Sequence, residues 1–256
     1  MSSSTLQDFW DFSNRFCNGN DFILFTLYTN ALTIFVYLLV NIPFVILDFI
    51  QPAFVQQYKI QGKKYVTWEK FASTFPLIVF NSTVVALCTS SLFYVLGTYT
   101  GVSFAREVPS WLTIIRDMIL AIFVEEFGFY YTHRLLHQPF FYKRIHKIHH
   151  RWTAPISITS VYCHPLEHAL SNLTPVLLGP TLVGAHVVTF WIWFTVAVTS
   201  TTISHCGYDF LSWAPQHDYH HAAFNENFGV LGLLDTIHGT NTTFRKSTTG
   251  NAKKDK

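Results

Sequence analysis

The sequence predicts an all-α, polytopic membrane protein with a histidine-rich helical region facing the cytosol, and three observations carry that expectation. Half of its 256 residues are hydrophobic, 17% are aromatic and only 12% are charged, against roughly a quarter charged in ordinary soluble domains. Apolar runs recur at lengths that cross a bilayer. Thirteen histidines are present, none before position 133, and most fall in ordered groups: His133 and His137 as HxxxH, then His146, His149 and His150 as HxxHH, then His217, His220 and His221 as a second HxxHH.

Residues 1–21 lack a basic start ahead of an apolar run, and Asp8, Asp11 and Asp21 stand where a cleaved leader would be positive, so no removable signal is expected. Residues 22–50 are apolar except for Asn30, Asn41 and Asp48. At about 1.5 Å per residue they reach across a bilayer as a helix, and Pro43 is expected to kink or end it. Residues 71–96 make a second span, with Gly97 and Gly101 breaking the helix beyond it. Residues 111–131 make a third, although it holds Arg116, Asp117, Glu125 and Glu126, and charges at that depth face the protein interior. Residues 171–203 are apolar enough to enter the membrane and turn back, with Gly179, Pro180 and Gly184 as breaks. His186 then falls near the tip of that hairpin, at headgroup level. The chain so divides into a membrane region at 1–110 and a working region at 111–256 that holds the third span, the hairpin and every histidine.

Charge sets the orientation. Lys59, Lys63, Lys64 and Lys70 put the loop at 51–70 in the cytosol by the positive-inside tendency. Threading onward returns His133 to the same side, among Arg134, Lys143, Arg144, Lys147 and Arg151. The ending Lys253-Lys254-Asp255-Lys256 is similar to the dilysine retrieval signal of endoplasmic reticulum membrane proteins, which is read only in the cytosol. A net charge of +2 with scattered basic residues excludes a nucleic-acid partner. Cys17, Cys88, Cys163 and Cys206 have no paired spacing and read as reduced thiols. Asn81, Asn172 and Asn241 each head a glycosylation triplet but fall in membrane or cytosol, where they stay unmodified.

Residues three and four apart share a helix face, so HxxxH directs two imidazoles one way and HxxHH three. Neutral imidazole is the commonest protein ligand for zinc, iron, copper and nickel. Eight clustered histidines are too many for one closed zinc site and suit two ions. Glu126, Tyr130, His133 and His137 form one helical stripe, from which Glu126 could orient a ligand histidine through its second ring nitrogen or simply sit at the interface. Asp218, inside the second HxxHH, is either an acceptor for a ligand N–H or a solvated charge. Trp152, Trp191, Trp193 and Trp213 suit membrane packing or an interfacial belt better than a substrate pocket.

These residues carry a resemblance. HRLLH from His133, HKIHH from His146, HPLE from His164, HCGYD from His205, HDYHH from His217 and the closing Asp235-x-x-x-Gly239-Thr240 resemble, in order and spacing, the fatty acid hydroxylase/sterol desaturase superfamily. The stretch from 131 to 240 is most similar to its sterol C4-methyl oxidases (methylsterol monooxygenases), through WTAPI, TTISHCGY and GVLGLLD. Tyr58-Lys59-Ile60-Gln61 also resembles the family's loop between its first two spans. The resemblance implies an endoplasmic reticulum enzyme with two iron ions held by histidine, using O2 and electrons from NAD(P)H delivered by cytochrome b5 and its reductase, to oxidise a sterol methyl group. Zinc also fits such a site in purified protein, and other sterol-synthesis enzymes are further expected partners. Carried over position by position, the ligands are His133, His137, His146, His149, His150, His217, His220 and His221, with His205 as a ninth. His164 matches the family's HPLE as a ligand or a residue behind the ligands. His168 and His238 are neighbours of the site.

Such chemistry needs a redox metal, because a methyl C–H offers neither an acidic proton nor a leaving group. A lipid substrate also accounts for the membrane half, since it can slide from the bilayer into an apolar slot. The Arg and Lys between the first two histidine groups suit an acidic electron donor, and positive-inside bias explains them equally well. Two other readings stay open: a hydroxylase or desaturase of a fatty acyl or sphingoid chain, and a non-catalytic metal-binding partner in lipid synthesis.

Overall fold

A computed structural model describes residues 3–62, 64–210 and 214–251. Lys63, Trp213 and the lysines of the tail at 253–256 lie outside the described residues. The fold is helical as expected: among the described residues the only β pairings are isolated bridges, Lys59 with Tyr208 and Ser103 with His186.

Among the described residues three helices are long and apolar enough to cross a membrane: Asp21–Ile50, Trp68–Thr100 and Val187–Ser204. The chain is a membrane protein. The first span starts where the Asn20 side chain accepts the Ile23 N–H at 3.0 Å, and it runs through Pro43 to Gln51, whose φ of 51° ends it. Pro43 therefore does not stop the helix. The second span begins at Thr67, whose hydroxyl accepts the Lys70 N–H, and ends at Gly101 with φ of 81°. Gly97 lies inside that helix, because the Val102 side chain packs where a Cβ would stand. Phe35, Leu39, Ile42 and Leu92 stay exposed on these helices, as side chains facing lipid would.

The 26-residue helix Trp111–Leu136 is long enough to span but, with Arg116, Asp117, Glu125 and Glu126, is not among the three apolar ones. It packs instead against the second half of a continuous helix over 165–182. A Cβ on Gly179 would lie 2.6 Å from the Ala121 Cα, and one on Gly128 2.9 Å from the Pro175 Cβ. So Gly179 and Pro180 do not break the hairpin; Gly179 lets two backbones touch. The turn comes at Gly184 (φ 59°), against the Thr100 carbonyl. His186 is buried there, capping the next helix through the Val188 N–H and donating to the Ala105 carbonyl at 3.0 Å, so it is a joint between segments and not a headgroup-level residue. Trp10, from the first helix Ser3–Phe16, packs edge-on against it. Trp191 sits in the same core, Trp152 in a second one beneath Lys70.

At the histidine end, short pieces replace long helices: Pro139–Arg144, 3₁₀ turns at His146–Arg151 and Ser157–Val161, and helices Ala214–Ala223, Leu233–His238 and Thr242–Asn251. The loop at 58–61 docks here. Lys59 pairs with buried Asp48 at 2.7 Å, Tyr208 donates to the same carboxylate at 3.1 Å, and Ile60 N–H donates to the Gly207 carbonyl at 3.1 Å. The four cysteines are free thiols.

Gly179→Val should drive a side chain into the Ala121 backbone and destabilise the fold by roughly 1–3 kcal/mol, while Leu112→Ala on an exposed face should change it by less than about 0.5 kcal/mol. Thermal unfolding in detergent compares the two; equal midpoints would show that the helices do not touch at Gly179.

Candidate metal centre

Nine imidazoles converge from four chain segments. His133 and His137 close the helix Trp111–Leu136, His146, His149 and His150 lie on a 3₁₀ turn, His205 ends the span Val187–Ser204, and His217, His220 and His221 lie on Ala214–Ala223. They sort into two groups whose ligand nitrogens all lie within 4.8 Å of one another: His133, His137, His146, His150 and His220, and then His149, His205, His217 and His221. All are buried except His137 and His217, which are half-buried.

Neither HxxHH triplet serves a single group. His146 and His150 go to the first and His149 to the second, whereas His217 and His221 go to the second and His220 to the first. On the α-helical triplet, i and i+4 diverge by only about 40°, while i+3 lies about 60° to the other side. The flanking pair thus shares one ion site and the middle ring reaches the other. The first triplet is wound as 3₁₀, not the α-helix its spacing suggests, yet it divides the same way.

The tautomers follow from partners that can only accept. Nδ1–H donates to the Phe228 carbonyl from His133 at 2.8 Å, to the Tyr162 carbonyl from His149 at 3.2 Å, to the Thr201 carbonyl from His205 at 2.8 Å and to the Glu226 carbonyl from His220 at 2.7 Å. His146 Nδ1–H meets Glu167 at 2.8 Å. A neutral ring with Nδ1 protonated keeps its lone pair on Nε2. Those Nε2 atoms face one another: His133 to His146 at 3.2 Å, and His149 to His205 at 3.4 Å. Two lone pairs at that separation repel, and a cation between them removes the conflict. The donor set therefore fits two metal ions, with the far nitrogens of His133, His146 and His220 anchored in the first group and those of His149 and His205 in the second.

Burial keeps the rings neutral. It pushes the His149 pKa down to about 4 and that of His205 to about 3. His217, His220 and His221 are driven well below the ordinary value by burial and by each other.

Buried carboxylates brace the ligands. Glu126 makes no hydrogen bond to a histidine; it takes the N–H groups of Val230, Leu231 and Leu234 at 2.8–3.0 Å. Asp235 takes those of Phe228 and Gly229 and the Thr240 hydroxyl. Between them they hold the loop whose Phe228 carbonyl anchors His133, and a Cβ on Gly229 would sit 2.9 Å from both carboxylates. Asp218 is buried and accepts from Gln61 at 2.8 Å, so it is no solvated charge; its pKa is raised to about 6 by burial, against the Gln61 hydrogen bond. His164 joins neither group and caps its own helix, accepting the Leu166 N–H at 3.1 Å. His238 is exposed, stacked on Tyr130 and bonded to Tyr131. His168 is buried nearby without joining either group. Sequence reasoning misses Glu167, Glu226 and Gln61 as braces. The HPLE motif contains Glu167, but only its contact with His146, 21 residues earlier, shows what it does.

A cavity of about 290 Å³ opens from the histidines into the membrane half. His133, His146, His149, His205 and His217 line one end, and Asn30, Thr33, Ala86, Ile122, Leu177 and Trp193 line the rest.

Fold and site together define a helical membrane protein with a polyhistidine metal-binding centre. The Fatty acid hydroxylase family model matches residues 118–240, and the chain belongs to that family. It is 42% identical to fatty acid hydroxylase domain-containing protein 2 of Homo sapiens, over 77% of this chain and 60% of that protein. It is 37% identical to fatty acid hydroxylase ahd1 of Mycosarcoma maydis, over 76% of this chain and 52% of that one. It is 30% identical to methylsterol monooxygenase 2-2 of Arabidopsis thaliana, over 82% and 83%. The chain thus spans little more than half the length of the first two relatives. No solved structure matches it significantly.

Purified protein should carry two metal equivalents per chain, with His137→Ala and His217→Ala each losing about one by elemental analysis. A single equivalent in the wild type would refute the two-group arrangement. Acid should release the metal. The folded pKa values of His149 and His205 lie below the ordinary 6.5, so the unfolded chain binds more protons below that pH. Stability is then constant above about pH 6.5 and falls as the pH drops towards 4. Metal retention and unfolding followed from pH 7.5 to 4.5 check this, and retention undiminished at pH 4.5 would contradict it.

Proposed function

We propose that the protein is an O2-dependent membrane oxygenase in which the two histidine groups hold two irons, and that it oxidises a C4-methyl group of a sterol. The observation that carries this reading is the continuity of the cavity: one apolar space joins both histidine groups to the membrane-embedded helices. Methylsterol monooxygenases among the relatives support the substrate. A pair of irons, when bound, would supply reductive activation of O2 and an oxidant able to take hydrogen from an unactivated carbon.

The chain's own residues do the rest. His133, His146, His149, His205 and His220 present Nε2 in fixed directions because carbonyls and Glu167 anchor Nδ1. Ile122, Leu177, Val196 and Trp193 line an apolar passage that excludes water and aligns a rigid lipid with the histidine end. In this reading the enzyme sits in the endoplasmic reticulum membrane with its histidines towards the cytosol, supported by the positive-inside bias of Lys59, Lys64 and Lys70. Lys143, Arg144, Lys147 and Arg151 are exposed beside the first HxxHH; they suit an acidic electron donor such as cytochrome b5, itself served by its reductase with NAD(P)H.

A second reading, hydroxylation of a fatty acyl or sphingoid chain, is favoured by the similarity to fatty acid hydroxylase ahd1 and uses the same centre.

Yeast lacking its own C4-methyl oxidase should grow without added sterol when given this chain, and should not when given His149→Ala. Lipid profiles after removal of the protein separate the readings. Accumulated 4-methylsterols support the first and unhydroxylated acyl chains the second, while an unchanged profile argues for a non-catalytic metal-binding role.

A further inference from the structure

His168 is only 4% exposed, lines the cavity and belongs to neither histidine group. Its Nδ1 is buried with no hydrogen-bond partner, and among the described residues nothing bonds the other ring nitrogen. A buried polar atom without a partner costs free energy and calls for a water, an ion or a ligand; His150 and His221 also have an unpaired Nδ1 but belong to the histidine groups, whereas His168 stands outside them on the cavity wall. Burial holds its pKa down at about 4, so the ring is neutral and offers one donor and one acceptor. The Nδ1 is sealed off while Nε2 is not, so Nε2 is the atom a cavity ligand reaches, and a hydroxyl can make one hydrogen bond with it as either acceptor or donor.

Its place along the cavity follows from the helix pairing. Ser171 meets Thr132 at 2.9 Å, and Pro175 lies against Gly128, so 165–182 runs antiparallel to Trp111–Leu136. His168, one turn before Ser171, stands level with the His133 end. It also follows Glu167, which holds His146. Glu125, a carboxyl on the membrane side of the cavity, is eight residues from His133, about 12 Å deeper along its helix.

We propose that His168 hydrogen-bonds a hydroxyl of the lipid substrate next to the carbon presented to the histidine groups, so that the cavity selects a lipid alcohol whose oxygen adjoins the reacting carbon. The inference rests on the cavity being the substrate site. It deepens the sterol reading, because a ring hydroxyl beside a methyl-bearing carbon meets this demand, whereas a plain hydrocarbon segment does not.

Binding tests it without turnover. Metal-loaded full-length protein in phosphatidylcholine nanodiscs is titrated with two matched pairs of radiolabelled probes: 4α-methylcholestanol with 4α-methylcholestane, and 1-octadecanol with octadecane. Empty nanodiscs provide the reference partition. In the wild type the alcohol of at least one pair should bind about tenfold tighter than its hydrocarbon. His168→Phe should cut that preference to below about threefold, and His168→Gln, which keeps a donor and an acceptor, should retain part of it, both with wild-type metal content. No preference in either pair, or a preference that His168→Phe leaves intact, would overturn the proposal. A preference confined to the octadecanol pair would keep the hydroxyl contact and remove the sterol reading.

Discussion

The hydrogen bond from an imidazole Nδ1–H to an acceptor that cannot donate is the constraint on which the rest of this molecule depends. It fixes which nitrogen carries the lone pair and where that lone pair points. Repeated at His133, His149, His205 and His220, with Glu167 holding His146 in the same way from a carboxyl, it turns a crowd of rings into two sets of converging lone pairs that a cation in each set reconciles. Carbonyls from Tyr162, Thr201, Glu226 and Phe228 have to be in position first: Thr201 offers one from the open last turn of Val187–Ser204, and the other three come from irregular backbone, because a helix interior leaves no carbonyl free.

That irregular backbone needs its own support. Buried carboxylates supply it, each taking several N–H groups: Glu126 and Asp235 hold the loop at 228–234, and Glu226 holds the start of Thr242–Asn251 through Thr243 and Phe244. A buried carboxylate with two or three backbone donors is well satisfied, and a loop held in this way behaves as a rigid element. The Asp48, Lys59 and Tyr208 group does the same between the first span and the segment after His205. Gln61 extends that strap to Thr153 and Asp218, joining both HxxHH segments to a loop far away in sequence. The membrane half contributes close contact of another kind: Gly128 and Gly179 let two helices approach backbone to backbone, which sets the wall of the cavity leading to the centre.

Composition and apolar run length were enough to read the helical class and the spans at 22–50 and 71–96, because lipid exposure demands apolar side chains all round a helix. The span near the C-terminal half was harder. Residues 111–131 satisfy a length rule, but they hold an Arg116–Asp117 pair and a Glu126 that braces the loop at 230–234, whereas Val187–Ser204 is the apolar helix. Pro43 and Gly179 misled for a related reason: local propensity treats both as breakers, while tertiary packing carries the helix through each.

Of the nine histidines that converge, eight stood out by their spacing and His205 only through the family resemblance, since what an imidazole can bind is tied to its residue type. How they divide stood out only in part. Helical periodicity accounts for the split of His217, His220 and His221, but His146, His149 and His150 lie on a 3₁₀ turn that their spacing did not announce, and which ring of one triplet meets which of the other is a property of tertiary distances. The sequence alone determined which side chains could bind metal and that a membrane would surround part of the chain, because both are properties of residue chemistry. Only the tertiary structure decided which rings lie together, which carbonyls anchor His133, His149, His205 and His220, and that His168 lines a cavity with no partner among the described residues, because those depend on distances between atoms far apart in the chain.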